Sequence, residues 1–168
     1  MLSSVRPKEA QINVNPDTAA TILKNLRSMA RNVVIDLGPG LSRLSMRVVK
    51  DVDQVAPVVE PHRPALNMAR EILKELEGGG IGRTRTNVIL VNRAQSTLQV
   101  PWQEAEQILN HEMLAIISPA AELAFQAAEA GFPMVLFQPT SIVATQMNKV
   151  AEELGARVRT LASGHINT

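Results

Sequence analysis

Three short apolar runs rich in β-branched residues punctuate the chain, at 33–37 (VVIDL), 55–60 (VAPVVE) and 87–92 (NVILVN). Each is nearly continuously apolar over the length of a strand, as expected of strands covered by helices on both faces. Between them the period changes. Ile22, Leu23, Leu26 and Met29 recur on one face of a helix that Pro16 and Asp17 open. Leu66, Ala69, Ile72, Leu73 and Leu76 repeat that pattern after Pro61 and Pro64, and the glycines at 78–80 close it. Further helices are predicted at 101–109, at 120–130 before Gly131, and at 141–154 before Gly155. Two weaker strands are predicted at 113–117 and 133–137, the second stopped by Pro139. Residues from 160 onward carry little apolar content and read as a frayed tail.

This alternation, with connections short enough for right-handed crossovers, predicts an α/β fold: a doubly wound, mostly parallel sheet with helices on both faces. One domain is expected over residues 1–158, with a tail at 159–168. Ligands of such sheets sit at the carboxyl ends of the strands, so chemistry is to be sought just after Leu37, Glu60 and Val91.

Composition narrows the function classes. With 168 residues and 45% apolar content the chain can bury one real core. Seventeen basic against sixteen acidic side chains leave a net charge near +1, without the field that draws proteins to nucleic acid or anionic lipid. The aromatic residues are one Trp and three Phe, little material for stacking bases, and no nucleic-acid partner is expected. Cysteine is absent, which removes disulfides, thiol catalysis and cysteine-ligated metals, and fits a reducing compartment with the cytoplasm as default. No apolar run approaches the ~20 residues needed to span a bilayer, and the first residues lack the apolar core of a signal peptide.

The most informative stretch is the run at 33–37, with Asp36 near its end and the turn Gly38, Pro39, Gly40 behind it. An acid at such a strand end holds the water shell of Mg²⁺ in nucleotide hydrolases, and the glycines bring backbone amides to a terminal phosphate. The plainer alternative is an aspartate capping its own turn. Asn92 ends the third run, where an amide can both donate to and accept from a purine edge, or simply cap a turn. The segment GGGIGRT at 78–84 approximates a phosphate loop, but it leaves a helix and enters a strand, the reverse of what such a loop requires, and it carries Arg83 where lysine is expected. It is read as a flexible turn that binds no anion. His62, His111 and His165 are scattered, and His111 with Glu112 lacks the second histidine of a zinc-protease motif. Ser118 and Pro119 precede the alanine-rich helix, whose start could face a ligand or be an ordinary helix beginning. The last helix is amphipathic, but its polar face is not lysine-rich, which favours core packing over a membrane.

Taken in order, NVVIDLGPG at 32–40, DVDQV at 51–55 leading to Glu60 and Pro61, and VILVNR at 88–93 resemble the MinD/ParA ATPases, with the pilus-assembly CpaE branch the nearest in character. ISP at 117–119, AGFP at 130–133 and PTSIVA at 139–144 resemble the closing strand, turn and helix of that family, so the resemblance covers roughly residues 1–154. It implies a P-loop NTPase fold, ATP and Mg²⁺ as cofactors, and a homodimer or other protein partners. Asp36 would be the catalytic acid holding Mg²⁺ through water, Gly38 and Gly40 its switch loop, and Asn92 the reader of adenine, with Arg93 beside that pocket and Pro119 in the loop over the base. Members of the family begin with a strand and a lysine-bearing phosphate loop that have no counterpart here, and Arg6, Pro7 and Glu9 resemble a segment preceding the family's central helix. The expectation is therefore an incomplete domain, inactive alone, whose other half is an upstream segment. A non-catalytic interaction module on the same scaffold is the alternative.

Overall fold

The computed structural model describes residues 15–93 and 96–164; Arg6, Pro7, Glu9, His165 and the last four positions of the expected tail lie outside them. The chain divides into two compact units, Met1–Val52 and Asp53–Thr168, where the sequence suggests one domain.

The second unit holds the sheet. Its strands β1 (Val58–Val59), β2 (Val88–Val91) and β3 (Met113–Ile117) run parallel in the order β1-β2-β3. The run at 55–60 forms only two ladder residues and an isolated bridge from Val55 to Thr86. Pro57 explains the gap: its carbonyl accepts from the Ile89 amide at 2.9 Å, but it has no N–H to return. Alternation along β2 separates two cores. Val88 and Leu90 join Val59, Leu66, Ala69, Ala105 and Leu109 on the face covered by α3 (Arg63–Gly78) and α4 (Trp102–Leu109). Ile89, with Val91 packed beside it, joins Ile117, Val143 and Val150 under α7 (Ile142–Gly164). The parallel sheet thus carries helices on both sides, as its continuous apolar strands predict.

Two expectations are corrected here. Residues 133–137 form no strand; Met134–Phe137 is a single helical turn, α6, with the Leu136 and Phe137 amides both bonded to the Pro133 carbonyl at 2.9 Å. Gly131 ends the preceding helix α5 (Ala121–Glu129) and Pro139 follows closely, so the run has room for one turn and no strand beside it to pair with. The last helix continues through Gly155 to Gly164, and the expected tail is helical that far. One glycine weakens a helix by only about 1 kcal/mol, which the strong helix formers around it offset.

The glycine-rich segment is a helix stop. Gly80 takes φ +87°, its amide bonds to the Glu77 carbonyl, and the Ile81 amide reaches back to Leu76 at 2.9 Å. These are the two bonds of a Schellman motif, completed by burial of both Leu76 and Ile81. A 3₁₀ turn, Arg83–Arg85, then leads into β2.

The described part of the first unit contains α1 (Pro16–Met29), capped by Asn15 Oδ1 on the Asp17 amide, and α2 (Arg43–Val49), capped by Ser42 Oγ on the Ser45 amide. Arg47 ties the two helices through Asp51 at 2.5 Å and Asp17 at 3.5 Å, and Asp51 raises its pKa further above the ordinary arginine value. The expected strand at 33–37 pairs with nothing among the described residues: the segment alternates between half-buried and exposed positions and leaves Val34 97% exposed. Apolar composition alone does not make a strand where no neighbour supplies the ladder.

Candidate functional site

In the first unit, Asp36 lies near the end of the 33–37 run and turns its carboxylate onto the following loop, Oδ1 accepting from the Gly38 amide at 2.9 Å. Gly38 and Gly40 have φ of +69° and +74°, values that L side chains rarely adopt, so the turn needs glycine at both places. The local structure is the aspartate-capped turn that stood as the plainer alternative.

The second unit gathers the other candidates at one edge. Because the strands are parallel, the residues following β1, β2 and β3 all leave at the carboxyl edge of the sheet, and these include Glu60, Asn92, Arg93 and Pro119. The Asn92 amide nitrogen of the backbone bonds to the Ile117 carbonyl at 2.9 Å, fixing the end of β2 against β3. The side chain of Asn92 is engaged with Gln99: its Nδ2 donates to Gln99 Oε1 at 2.6 Å and its Oδ1 accepts from Gln99 Nε2 at 2.5 Å. A reciprocal amide pair of this kind presents the same donor and acceptor edge that a purine would. Arg93 reaches across to Glu60, Nη1 to Oε1 at 3.2 Å, on the exposed side of the edge. Ser118, just before Pro119, exchanges a second reciprocal pair with Gln146 of α7, through its amide at 2.9 Å and its hydroxyl at 3.0 Å.

Gln99 and Gln146 were not singled out from sequence. Neither sits in a motif; one lies in a loop seven positions after its partner and the other on a helix 28 positions away, so only the fold brings them to the edge. At the other end of the sheet, a cavity of about 110 Å³ is lined by Arg70, Lys74, Arg83 and His111 among others. Arg83 there donates to the Asn110 carbonyl at 2.7 Å, at the C-terminal end of α4, where a cation complements the helix dipole. His62, the remaining described histidine, caps α3 through Nδ1 on the Ala65 amide.

Solved structures with this architecture are known. A ParA family ATPase from Chlorobium tepidum TLS superimposes with a TM-score of 0.77 over 90% of this chain, at 17% identity. The septum site-determining protein MinD of Pyrococcus horikoshii, complexed with Mg-ADP, gives 0.71 over 83% at 23% identity. MinD in the MinC:MinD complex of Aquifex aeolicus gives 0.74 over 86% at 16% identity. The fold is that of ParA and MinD ATPases. This chain spans about three fifths of the length of those structures, from 56% to 61%. No protein-family model matches the sequence, and no curated protein does.

The ParA/MinD fold invites a test of whether the residues present suit a magnesium nucleotide. Asp36 offers the hard oxygen that Mg²⁺ takes, directly or through water. Asn92 offers the amide edge that a purine takes, once Gln99 is displaced. The phosphate end is not matched: at the carboxyl edge described above the cation is Arg93, and Glu60 already holds it. Taken singly, Asn92 has the chemistry for a base and Asp36 that for the water shell of a metal, and no phosphoryl-transfer step is derived from them.

Proposed function

We propose that the chain is the nucleotide-binding, later part of a MinD/ParA-like scaffold, whose parent is an ATPase of the CpaE-like branch. In that parent, ATP-dependent dimerisation would drive positioning or assembly of a cell-surface apparatus such as a pilus, from the cytoplasmic side. One observation carries this function: Asn92, Arg93 and Pro119 follow two adjacent parallel strands at the carboxyl edge of a sheet with the ParA/MinD fold, where ligands of such sheets bind. In this assignment Asn92 trades its amide pair with Gln99 for the edge of adenine, Arg93 stands beside the base, and Pro119 lies in the loop over it. Asp36 would hold a water of the Mg²⁺ shell, with Gly38 and Gly40 in the loop beside it. Bound Mg²⁺ would neutralise phosphate charge, the contribution that metal ions make in this chemistry. The lysine and amide cradle for the triphosphate is assigned to an upstream segment, supplied by the same domain or by a partner.

The alternative is a non-catalytic interaction module. It is favoured by the engagement of Asp36 with Gly38 and of Asn92 with Gln99, which leaves both side chains occupied within the fold. Calorimetric titration with Mg-ATP separates the two. The ATPase assignment expects binding by a longer chain extended upstream, weakened about tenfold or more by Asn92→Ala and by Asp36→Ala. Silence of the longer chain as well would leave the interaction module standing.

A further inference from the structure

The cavity at the amino end of the sheet, opposite the edge that carries Asn92, holds polar atoms that the fold leaves unspent. Three elements wall it. Arg70, Leu73, Lys74 and Glu77 lie at i, i+3, i+4 and i+7 on one face of α3, the turn leading into β2 adds Arg83, and the residues closing α4 add His111. Arg70 Nε and His111 Nε2 are both buried and have no hydrogen-bond partner among the described residues. Buried polar atoms are nearly always satisfied, so each of these calls for a partner.

The two atoms ask for different things. A carbonyl only accepts, so the 2.8 Å contact between His111 Nδ1 and the Glu112 carbonyl puts the ring hydrogen on Nδ1, and in the neutral ring Nε2 is then an acceptor. Arg70 Nε is a charged donor. Glu71 Oε1 lies 3.5 Å from it, an ion pair without a hydrogen bond, and the same oxygen accepts from Lys74 Nζ at 3.0 Å. Arg83 spends one of its five donors on the Asn110 carbonyl. Carbonyls at the helix ends are taken: the amides of Gly79, Gly80 and Ile81 bond back to Glu75, Leu76 and Glu77, and those of Asn110 and His111 to Gln107 and Glu106. Arg70, Lys74 and Arg83 face Glu77 in the wall and Glu71 beside it, which leaves the surroundings positive. The volume of about 110 Å³ equals that of roughly three or four water molecules, room for a tetrahedral ion and far less than a nucleotide needs.

We infer that this cavity is a site for a small oxyanion that carries its own hydrogen, inorganic phosphate being the type. Its oxygens accept from Arg70 Nε, Lys74 and Arg83 supply charge, and its O–H donates to His111 Nε2. Sulfate has the same shape and no hydrogen to give. A phosphate monoester, with a second pKa of about 6, has lost that hydrogen in mildly alkaline solution. The amides of Gly79 and Gly80 are spent on stopping α3, so the glycine run is still no phosphate loop; of the segment 78–84, the Arg83 side chain stands by the anion. The site lies at the opposite end of the sheet from Asn92 and does not depend on nucleotide binding there.

NMR titration of the full chain tests it, at fixed ionic strength and about pH 8, where an ordinary histidine is neutral. Inorganic phosphate, sulfate and methyl phosphate are added in separate arms, followed through the His111 ring and the backbone amides. Phosphate should bind saturably, and sulfate and methyl phosphate about tenfold or more weaker, because each leaves the His111 acceptor unpaired. Arg70→Met, which keeps the apolar stem, should weaken phosphate about tenfold or more. His111→Phe should bring phosphate down to the level of sulfate. The comparison of the three anions uses the unaltered chain, so it decides the matter even if either substitution disturbs folding. No saturable phosphate binding, with water alone filling the cavity, would overturn the inference. So would equal binding of the three anions, or phosphate binding indifferent to either substitution in a folded variant.

Discussion

The runs at 33–37 and 87–92 are alike in sequence and unlike in structure. Both are short, β-branched and carry a polar residue at or near their end. In the second unit Val88, Ile89 and Leu90 are buried between α3 and α4 on one face and α7 on the other, with a strand on each side. In the first unit Val33 and Ile35 are only half-buried, Val34 is bare, and no described residue pairs with them. The difference teaches that the strand is a property of its neighbours. β2 exists because two partners supply its ladder and two helix layers cover it; the 33–37 run has the composition without such a partner among the described residues.

The largest effect that would sharpen this contrast is a cavity under β2. Leu66→Ala, which empties a fully buried position on α3 beneath the sheet, should destabilise the second unit by about 2–5 kcal/mol in urea unfolding. Val34→Ala in the bare run should change stability by no more than about 0.5 kcal/mol. An equal loss in both would mean that the 33–37 run is packed after all, and the comparison would break. Next comes the amide pair at the end of β2. Gln99→Ala should lose roughly 1–3 kcal/mol because it removes both hydrogen bonds of the amide pair with the half-buried Asn92. A double-mutant cycle with Asn92→Ala should then return a coupling of about 0.5 kcal/mol or more. Third, Gly80→Ala puts a side chain at φ +87° in the stop of α3 and should destabilise by about 1–2 kcal/mol. Gly38→Ala, in the aspartate-capped turn of the first unit, should have a smaller effect on global unfolding.

The smallest effect concerns pH. The hydrogen bond from Lys74 at 3.0 Å holds the Glu71 carboxyl below its ordinary value of 4.5. A depressed folded-state pKa contributes stability above the unfolded value and loses it as pH falls through the folded one. Lys74→Met should therefore lower Tm slightly at pH 7 and not at all once Glu71 is protonated in both states. Both side chains are well exposed, so the shift at pH 7 should stay within about 1 °C.

Much of the second unit was legible in the sequence for the same reason that it is stable. The 3.6-residue spacing of Leu66, Ala69, Leu73 and Leu76 marks α3 because those residues must reach one core, and the apolar run of β3 matches its boundaries. What escaped was set by partners distant in sequence. Helix α2 has seven residues and no proline or glycine to announce it, only Ser42 at its cap. Residues 133–137 have strand composition and meet no free ladder. At the candidate site, Asn92 and Asp36 were visible as strand-end polar residues, yet Gln99 and Gln146, which decide what the edge offers to a ligand, carry no local signal.

Helix α7 has a consequence of its own. Twenty-three residues at 1.5 Å each make a rod of roughly 35 Å, and the residues that enter the core stop at Leu154 among the described side chains. From Gly155 to Gly164 the helix continues for about 15 Å beyond Leu154. Amide protons should record this as a gradient, long-lived from Val143 to Leu154 and progressively faster toward Gly164, so that the rod frays from its tip without loosening the sheet on which it is mounted.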